Sequence, residues 1–257
     1  MIEVVFLQLC AVILYGSLWF IMSLMLRRND VADIAWGIGF IVLALVAQLA
    51  TSNGSSRANF LLALVIVWGV RLSLHIGIRN WGKAEDSRYR KWREEWGSNA
   101  AVRSYFQVFL LQGILVVVVL LPATYVLAQQ DSALTVLDAI GASIWLVGFV
   151  FEAVADLQLV RFKRDPGNRG RVITSGLWKY SRHPNYFGEL TLWWGVWLIA
   201  CSVPGGWTTI LGPATITALI LLVSGIPMLE KKYEGNPEFE FYRQRTSPFF
   251  PLPQRKL

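Results

Sequence analysis

Seven apolar stretches, at about 3–26, 33–50, 58–79, 104–128, 134–160, 187–203 and 208–228, dominate this sequence. Nearly all reach or exceed the roughly 18–20 residues that cross the hydrocarbon core of a bilayer. Within lipid a segment must satisfy its own backbone N–H and C=O groups, so such runs fold as helices. Only 16% of the residues are charged, against about 25% in ordinary soluble domains. The expected fold is an all-α integral membrane protein: seven transmembrane helices in one polytopic domain over 1–257, joined by loops and short cytosolic helices. The fifth run is long enough to project beyond the membrane and the sixth is slightly short. The first lacks a basic leading region and a small-residue cleavage site before Arg27-Arg28, so it reads as a retained helix.

Cations are confined to alternate loops. Arg27 and Arg28 follow the first run, Lys83 to Arg103 the third, Arg161 to Arg182 the fifth, and Lys231 to Lys256 the last. The other loops hold only Arg57. Positive residues stay on the cytosolic side, which places the N-terminus outside, the C-terminus in the cytosol and the number of crossings at odd. Scattered cations on such a face ordinarily meet anionic lipid headgroups. No soluble domain or reader motif points to nucleic acid, and no obligate protein partner is indicated. Cys10 and Cys201 stand apart inside apolar runs, and there are two histidines, so neither a disulfide framework nor a metal site is expected. The outer loops are short, at 51–57, 129–133 and 204–206, with Asn53-Gly54-Ser55-Ser56 as turn chemistry. In the loop 83–99, Tyr89, Trp92 and Trp96 are spaced about a helical turn apart, as in an interfacial helix or a simple headgroup anchor.

Polar groups also enter the runs. Pro184 suits the first turn of a helix; Asn185 and Glu189 then share one face at i and i+4, with Tyr186 beside them. Lys179, Arg182 and His183 precede them as cations expected at the mouth of a site. Arg71, His75 and Arg79 form a stripe on the third helix, Glu152 and Asp156 lie four apart on the fifth, and Asp33 opens the second. Intramembrane ionisable residues face the bundle interior and pair, so packed ion pairs such as Arg71 with Glu152 or Glu189 compete with a wet cavity. The number of polar faces favours the cavity. Cations around it suit phosphates. Gly37-Ile38-Gly39 lacks the third glycine of a dinucleotide fingerprint, and no Walker, Gly-x-Ser-x-Gly or His-Glu-x-x-His sequence occurs. The residues alone thus indicate a cytosol-facing polyanion or nucleotide pocket with a second, apolar ligand.

The segment Gly176-Leu177-Trp178-Lys179-Tyr180-Ser181-Arg182-His183-Pro184-Asn185-Tyr186-Phe187-Gly188-Glu189 resembles the C-terminal domain of the steroid 5α-reductase family. The ending Leu229-Glu230-Lys231-Lys232-Tyr233, Asn236-Pro237 and Phe249-Phe250-Pro251 is similar to that family's, and Trp68-Gly69-x-Arg71 through Glu85-Asp86 to its bacterial branch. The Arg-His-Pro-x-Tyr core is shared with sterol reductases and with membrane isoprenylcysteine and phospholipid methyltransferases. The resemblance implies an NADPH-dependent reductase of the carbon–carbon double bond in 3-oxo-Δ4-steroids or similar lipid enones, set in a bacterial cell membrane with its cofactor on the cytosolic side. It implies cofactor contacts at Asn80, Lys83, Asp156, Arg161, Lys163, Arg171, Tyr180, Asn185, Tyr186, Glu189 and Tyr233. For the substrate carbonyl it implies a carboxylate in span two, for which Asp33 is the nearest candidate; Asp33 kept protonated by its apolar site is expected to polarise the carbonyl, with Arg71 or His75 assisting. The tyrosine that the family carries in span three is missing: Trp68 and Gly69 stand there. An S-adenosylmethionine-dependent membrane methyltransferase is the first rival, and a transporter or lipid-binding scaffold the second.

Overall fold

A computed structural model describes residues 1–129 and 133–256; of the outer loop expected at 129–133, residues 130–132 lie outside the described set. The protein is an all-α multi-pass membrane protein. Among the described residues six helical segments are long and apolar enough to cross: Ile2–Leu26, Val31–Thr51, Ser56–Asn80, Ser87–Val119, Val136–Arg164 and Gly206–Lys231. The stretch expected at 187–203 folds as Pro184–Ala200, 17 residues, because Pro184 opens the helix and a turn begins at Cys201. The chain divides into two compact units, Met1–Thr135 with Ala200–Leu211, and Val136–Ile199 with Gly212–Leu257.

In the first unit, α1 (Ile2–Leu26), α2 (Val31–Thr51) and α3 (Ser56–Asn80) are straightforward apolar helices. The side chain of Ser55 accepts the N–H of Ala58 and starts α3. Helices α2 and α3 nearly touch: a Cβ on Gly37 would lie 2.7 Å from the Gly69 carbonyl oxygen, and one on Gly69 would lie 2.6 Å from that of Gly37. Small residues allow this approach where no hydrophobic force separates helix from lipid. Gln8 of α1 is fully buried and donates to the Leu43 carbonyl and the Thr124 hydroxyl, each at 2.9 Å. Arg57, the lone cation of the expected outer loops, is also buried and donates to the carbonyl of Ala133.

The interfacial helix expected at 83–99 is continuous with the fourth span. α4 (Ser87–Trp96) passes through a 3-10 turn into α5 (Ala100–Ser104), then a π-helical turn at Tyr105–Leu110, then α6 (Leu111–Val119). A bend at Leu120, with Pro122 in the first turn of the next helix, separates α7 (Leu121–Leu127). Val31, Ala32, Tyr89, Val108 and Phe109 form a core here, covered by Trp19, Phe20, Trp92 and Trp96.

The second unit is built on α8 (Val136–Arg164). Its 29 residues reach about 44 Å at 1.5 Å per residue, well beyond a roughly 30 Å hydrocarbon core. α9 (Pro184–Ala200) packs on it through four glycines, two on each helix and seven residues apart. A Cβ on Gly148 would meet the Gly188 oxygen at 2.6 Å, and one on Gly195 would meet that of Gly141 at 2.6 Å. The last candidate span contains α10 (Leu211–Ala218), a π-helical turn at Leu219–Val223, and α11 (Ile226–Lys231) after a break at Gly225. α12 (Pro237–Arg245) begins at Asn236, whose side chain accepts the N–H of Phe239 at 3.1 Å.

Candidate functional site

In the first unit, a web of ionic hydrogen bonds fastens the α1–α2 turn to the loop before α4. Arg28 donates Nε and Nη2 to the two oxygens of buried Asp30, each at 2.6 Å. That hydrogen bond raises the guanidinium above its ordinary value. Asp30 also accepts the N–H of Asp86 at 3.1 Å, and the N–H of Asn29 reaches Glu85 Oε1 at 2.6 Å. Glu85 is held from the other side by Arg93, also at 2.6 Å. Asp86 then caps α4 by accepting the N–H of Arg88 at 2.9 Å. The register so fixed turns Tyr89 inward, where it is buried.

Tyr89 donates its hydroxyl to Asp33 Oδ1 at 2.5 Å. Arg88 Nη2 reaches the other carboxylate oxygen at 3.4 Å, and Gln112 Nε2 donates to the Tyr89 hydroxyl at 3.4 Å. Asp33 therefore faces a donor on each oxygen and orients the phenol. Gln112 in turn lines an apolar hollow of about 20 Å³ among Val12, Trp19, Trp36, Gly39 and Phe109. Tyr15 on its wall turns its hydroxyl to the carbonyl of Ala35 at 2.7 Å. Drug-sized ligands occupy roughly 300–1,000 Å³, so a rigid lipid enters this crevice only if its walls part.

The other residues expected in this unit lie on α3 and the loop after it. Arg71 and His75 are half-buried one turn apart on α3. Asn80 accepts from Arg79 Nε at 3.2 Å, and its carbonyl takes the N–H of Lys83 at 3.2 Å. Lys83 itself is exposed, while its carbonyl accepts Arg28 Nη1 at 3.1 Å.

In the second unit Asn185 donates Nδ2 to Asp156 Oδ1 at 3.2 Å, so two expected residues meet across α8 and α9. Asp156 and Glu152 are buried, Glu189 and Tyr186 half-buried. Arg161 and Lys163 at the end of α8, and Arg171 beyond it, are exposed, as are Tyr180 and Tyr233. Arg182 and His183, expected as cations at a mouth, are instead buried. Arg182 forks onto Glu230, Nε to Oε1 at 2.8 Å and Nη2 to Oε2 at 3.2 Å, and gives Nη1 to the carbonyls of Thr246 and Arg243. His183 Nε2 lies 3.0 Å from the same Glu230 Oε1, and its ring stacks on Tyr186 at 5.7 Å. Tyr242 donates to the carbonyls of Trp178 and Ser181; burial pushes its phenol well above the ordinary value, so it stays neutral.

Tyr89, Gln112 and Glu230 are the residues that sequence reasoning passed over as site members. Tyr89 sits among charges and tryptophans that read as a headgroup anchor, and Glu230 among tail residues with no partner visible in the sequence.

The profile of DUF1295, described as a protein of unknown function, matches residues 19–246. The chain belongs to this family. This DUF1295 chain is 27% identical over 277 aligned positions to an uncharacterized protein of Schizosaccharomyces pombe, covering 95% of the chain and 78% of that relative. It is 39% identical over 66 residues to 3-oxo-5-alpha-steroid 4-dehydrogenase 1 of Mus musculus; the match covers 25% of the chain and 26% of the mouse protein. A probable O-methyltransferase of Ustilaginoidea virens is 42% identical over 55 residues, 21% of the chain and 19% of that protein. No solved structure matches the DUF1295 chain.

Proposed function

We propose that the protein is a membrane-embedded, NADPH-dependent reductase of lipophilic conjugated ketones, such as 3-oxo-Δ4-steroids or similar lipid enones. The observation that carries this function is the Tyr89–Asp33 hydrogen bond at 2.5 Å, linked by Gln112 to an apolar crevice. Partial similarity to 3-oxo-5-alpha-steroid 4-dehydrogenase 1 supports it. Tyr89 takes the place of the absent span-three tyrosine. Its phenol is the donor for the substrate oxygen, where negative charge develops as the double bond is reduced. Asp33 holds the phenol in place, and Arg88 keeps Asp33 anchored when Tyr89 turns its proton toward a carbonyl. Arg71 and His75 are the assisting groups on α3.

Bound NADPH would supply the hydride for the β-carbon, and solvent would supply the proton for the α-carbon. Donors in the second unit support this cofactor. Exposed Arg161, Lys163 and Arg171 suit the pyrophosphate and 2′-phosphate. Asn185, aligned by buried Asp156, offers an amide complementary to a carboxamide. Glu189 is assigned to a ribose, with Tyr180, Tyr186 and Tyr233 completing this unit's contacts. The same function takes seven crossings, with α9 as the sixth, the N-terminus outside and the cationic loops in the cytosol of a bacterial cell.

The test is NADPH oxidation by purified protein against a panel of 3-oxo-Δ4-steroids and linear enones; no absorbance loss with any of them ends the proposal. Heat stabilisation by S-adenosylmethionine and not by NADPH selects the methyltransferase instead, the reading favoured by the likeness to the probable O-methyltransferase.

A further inference from the structure

Glu230 stands where three separate segments of the second unit converge. Its carboxylate receives the Arg182 fork and the His183 ring, both from the turn that opens α9. Tyr186 stacks on His183 one turn later, and Asn185 of the same turn reaches Asp156. Glu230 itself lies in α11; three residues on, Tyr233 stacks on Phe239 of α12 with ring centroids 4.9 Å apart. The tail after α12 lies along the same turn. The N–H of Arg182 donates to the Ser247 carbonyl at 2.9 Å, Ser181 Oγ to that of Phe249 at 2.7 Å, and the N–H of Leu252 to that of Tyr180 at 3.0 Å. Phe249 closes over Phe187 with centroids 5.6 Å apart.

A guanidinium that is only 9% exposed is costly unless every donor is answered. Apolar residues of similar volume generally fill such a space with equal or better stability. What the ion cluster adds is direction: the fork geometry fixes the turn before α9 to α11 in a single register. We propose that Glu230 is a positioning residue, with the tail at 247–252 as a strap, and that together they hold Tyr180, Asn185, Tyr186 and Tyr233 as one set of nucleotide contacts. The nucleotide part rests on the NADPH function proposed above.

The test compares wild type with Glu230→Gln and with the charge-free pair Arg182→Met/Glu230→Leu, in the same detergent. Hydrogen exchange is followed at amides 181–190 and, as a reference, in α2. The double variant is expected to melt no lower than wild type. Both variants are expected to exchange at least tenfold faster at 181–190 alone, and to bind NADPH at least tenfold more weakly. Exchange within twofold of wild type at 181–190, or faster exchange spread equally into α2, overturns the positioning role. Faster local exchange with unaltered NADPH affinity overturns the nucleotide link. A wild type that NADPH does not stabilise removes the cofactor assignment, and the exchange measurement still decides whether Glu230 positions the turn.

Discussion

A single methyl group at Gly148 tests how closely α8 and α9 must approach. Built on the backbone, it would lie 2.5 Å from the amide nitrogen of Leu192 and 2.6 Å from the carbonyl oxygen of Gly188. Neither obstacle is the tip of a side chain that can swing away. Ordinary contact begins near 3.4 Å, so the helices part by roughly 0.9 Å at this point in a close-packed interior. The Asn185–Asp156 bond, at 3.2 Å, has only about 0.3 Å to give before it fails the distance limit. Overpacking costs about 1–3 kcal/mol, and rigid backbone on both sides puts Gly148→Ala at the upper end. Alanine returns about 1 kcal/mol in helix propensity, leaving a net loss of about 2 kcal/mol. For a chain of this size that lowers Tm by about 4–8 °C. Gly77→Ala on α3 is the control, since nothing lies within 4 Å of its Cβ; propensity alone raises Tm by about 2–4 °C. Both are read by tryptophan fluorescence during heating in one detergent, with and without NADPH. A Gly148→Ala protein that melts at or above wild type, or that keeps its full stabilisation by NADPH, refutes the tight-seam explanation.

Two other substitutions probe the first unit. Tyr89→Phe keeps the ring packed on Trp92 but removes the donor to Asp33; enone turnover falls by about 10²–10³-fold while NADPH affinity stays within about twofold, as removal of one oxyanion donor acts on the chemical step, checked by single-turnover absorbance. Gln8→Leu replaces a fully buried amide bonded to Leu43 and Thr124. Interhelical hydrogen bonds in lipid average about 0.6 kcal/mol with a maximum near 1.7, so Tm drops by less than about 7 °C; aggregation or complete loss of the folded protein would show that the amide does far more.

Much of the architecture was legible because lipid leaves few options: apolar length and loop charge alone marked α1, α2, α3 and α8 close to where they fold. The exceptions have local causes. The run at 104–128 is bent at Leu120 by Pro122 and extended backwards through Ser87, because the polar surface of α4 hid its continuity with the span. The helix opened by Pro184 stops at Ala200, at the lower end of the length that crosses a bilayer. The Asp156–Asn185 contact was foreshadowed by both residues facing inward from apolar helices. Tyr89–Asp33 and Arg182–Glu230 were not, since their partners lie 56 and 48 positions apart and no periodicity couples them. Charge alone misled at Arg182: a cation beside an apolar run looks like a surface guard, whereas here three neighbouring carbonyl and carboxylate groups draw it inside.

The π-helical turn at Tyr105–Leu110 has a consequence for how this chain tolerates deletions. A π turn carries one residue more than an α-helical turn, and removing it restores better backbone hydrogen bonding. Deleting a single residue there would therefore make a sounder helix. Because the extra residue is absorbed within the wider turn, the helix beyond keeps its facing, with Gln112 still directed at the Tyr89 hydroxyl and Gly113 still against Val12, whose nearest side-chain atom lies 2.4 Å from an added Cβ. At this place the polypeptide can be shortened by one residue while the Gln112–Tyr89 hydrogen bond is kept.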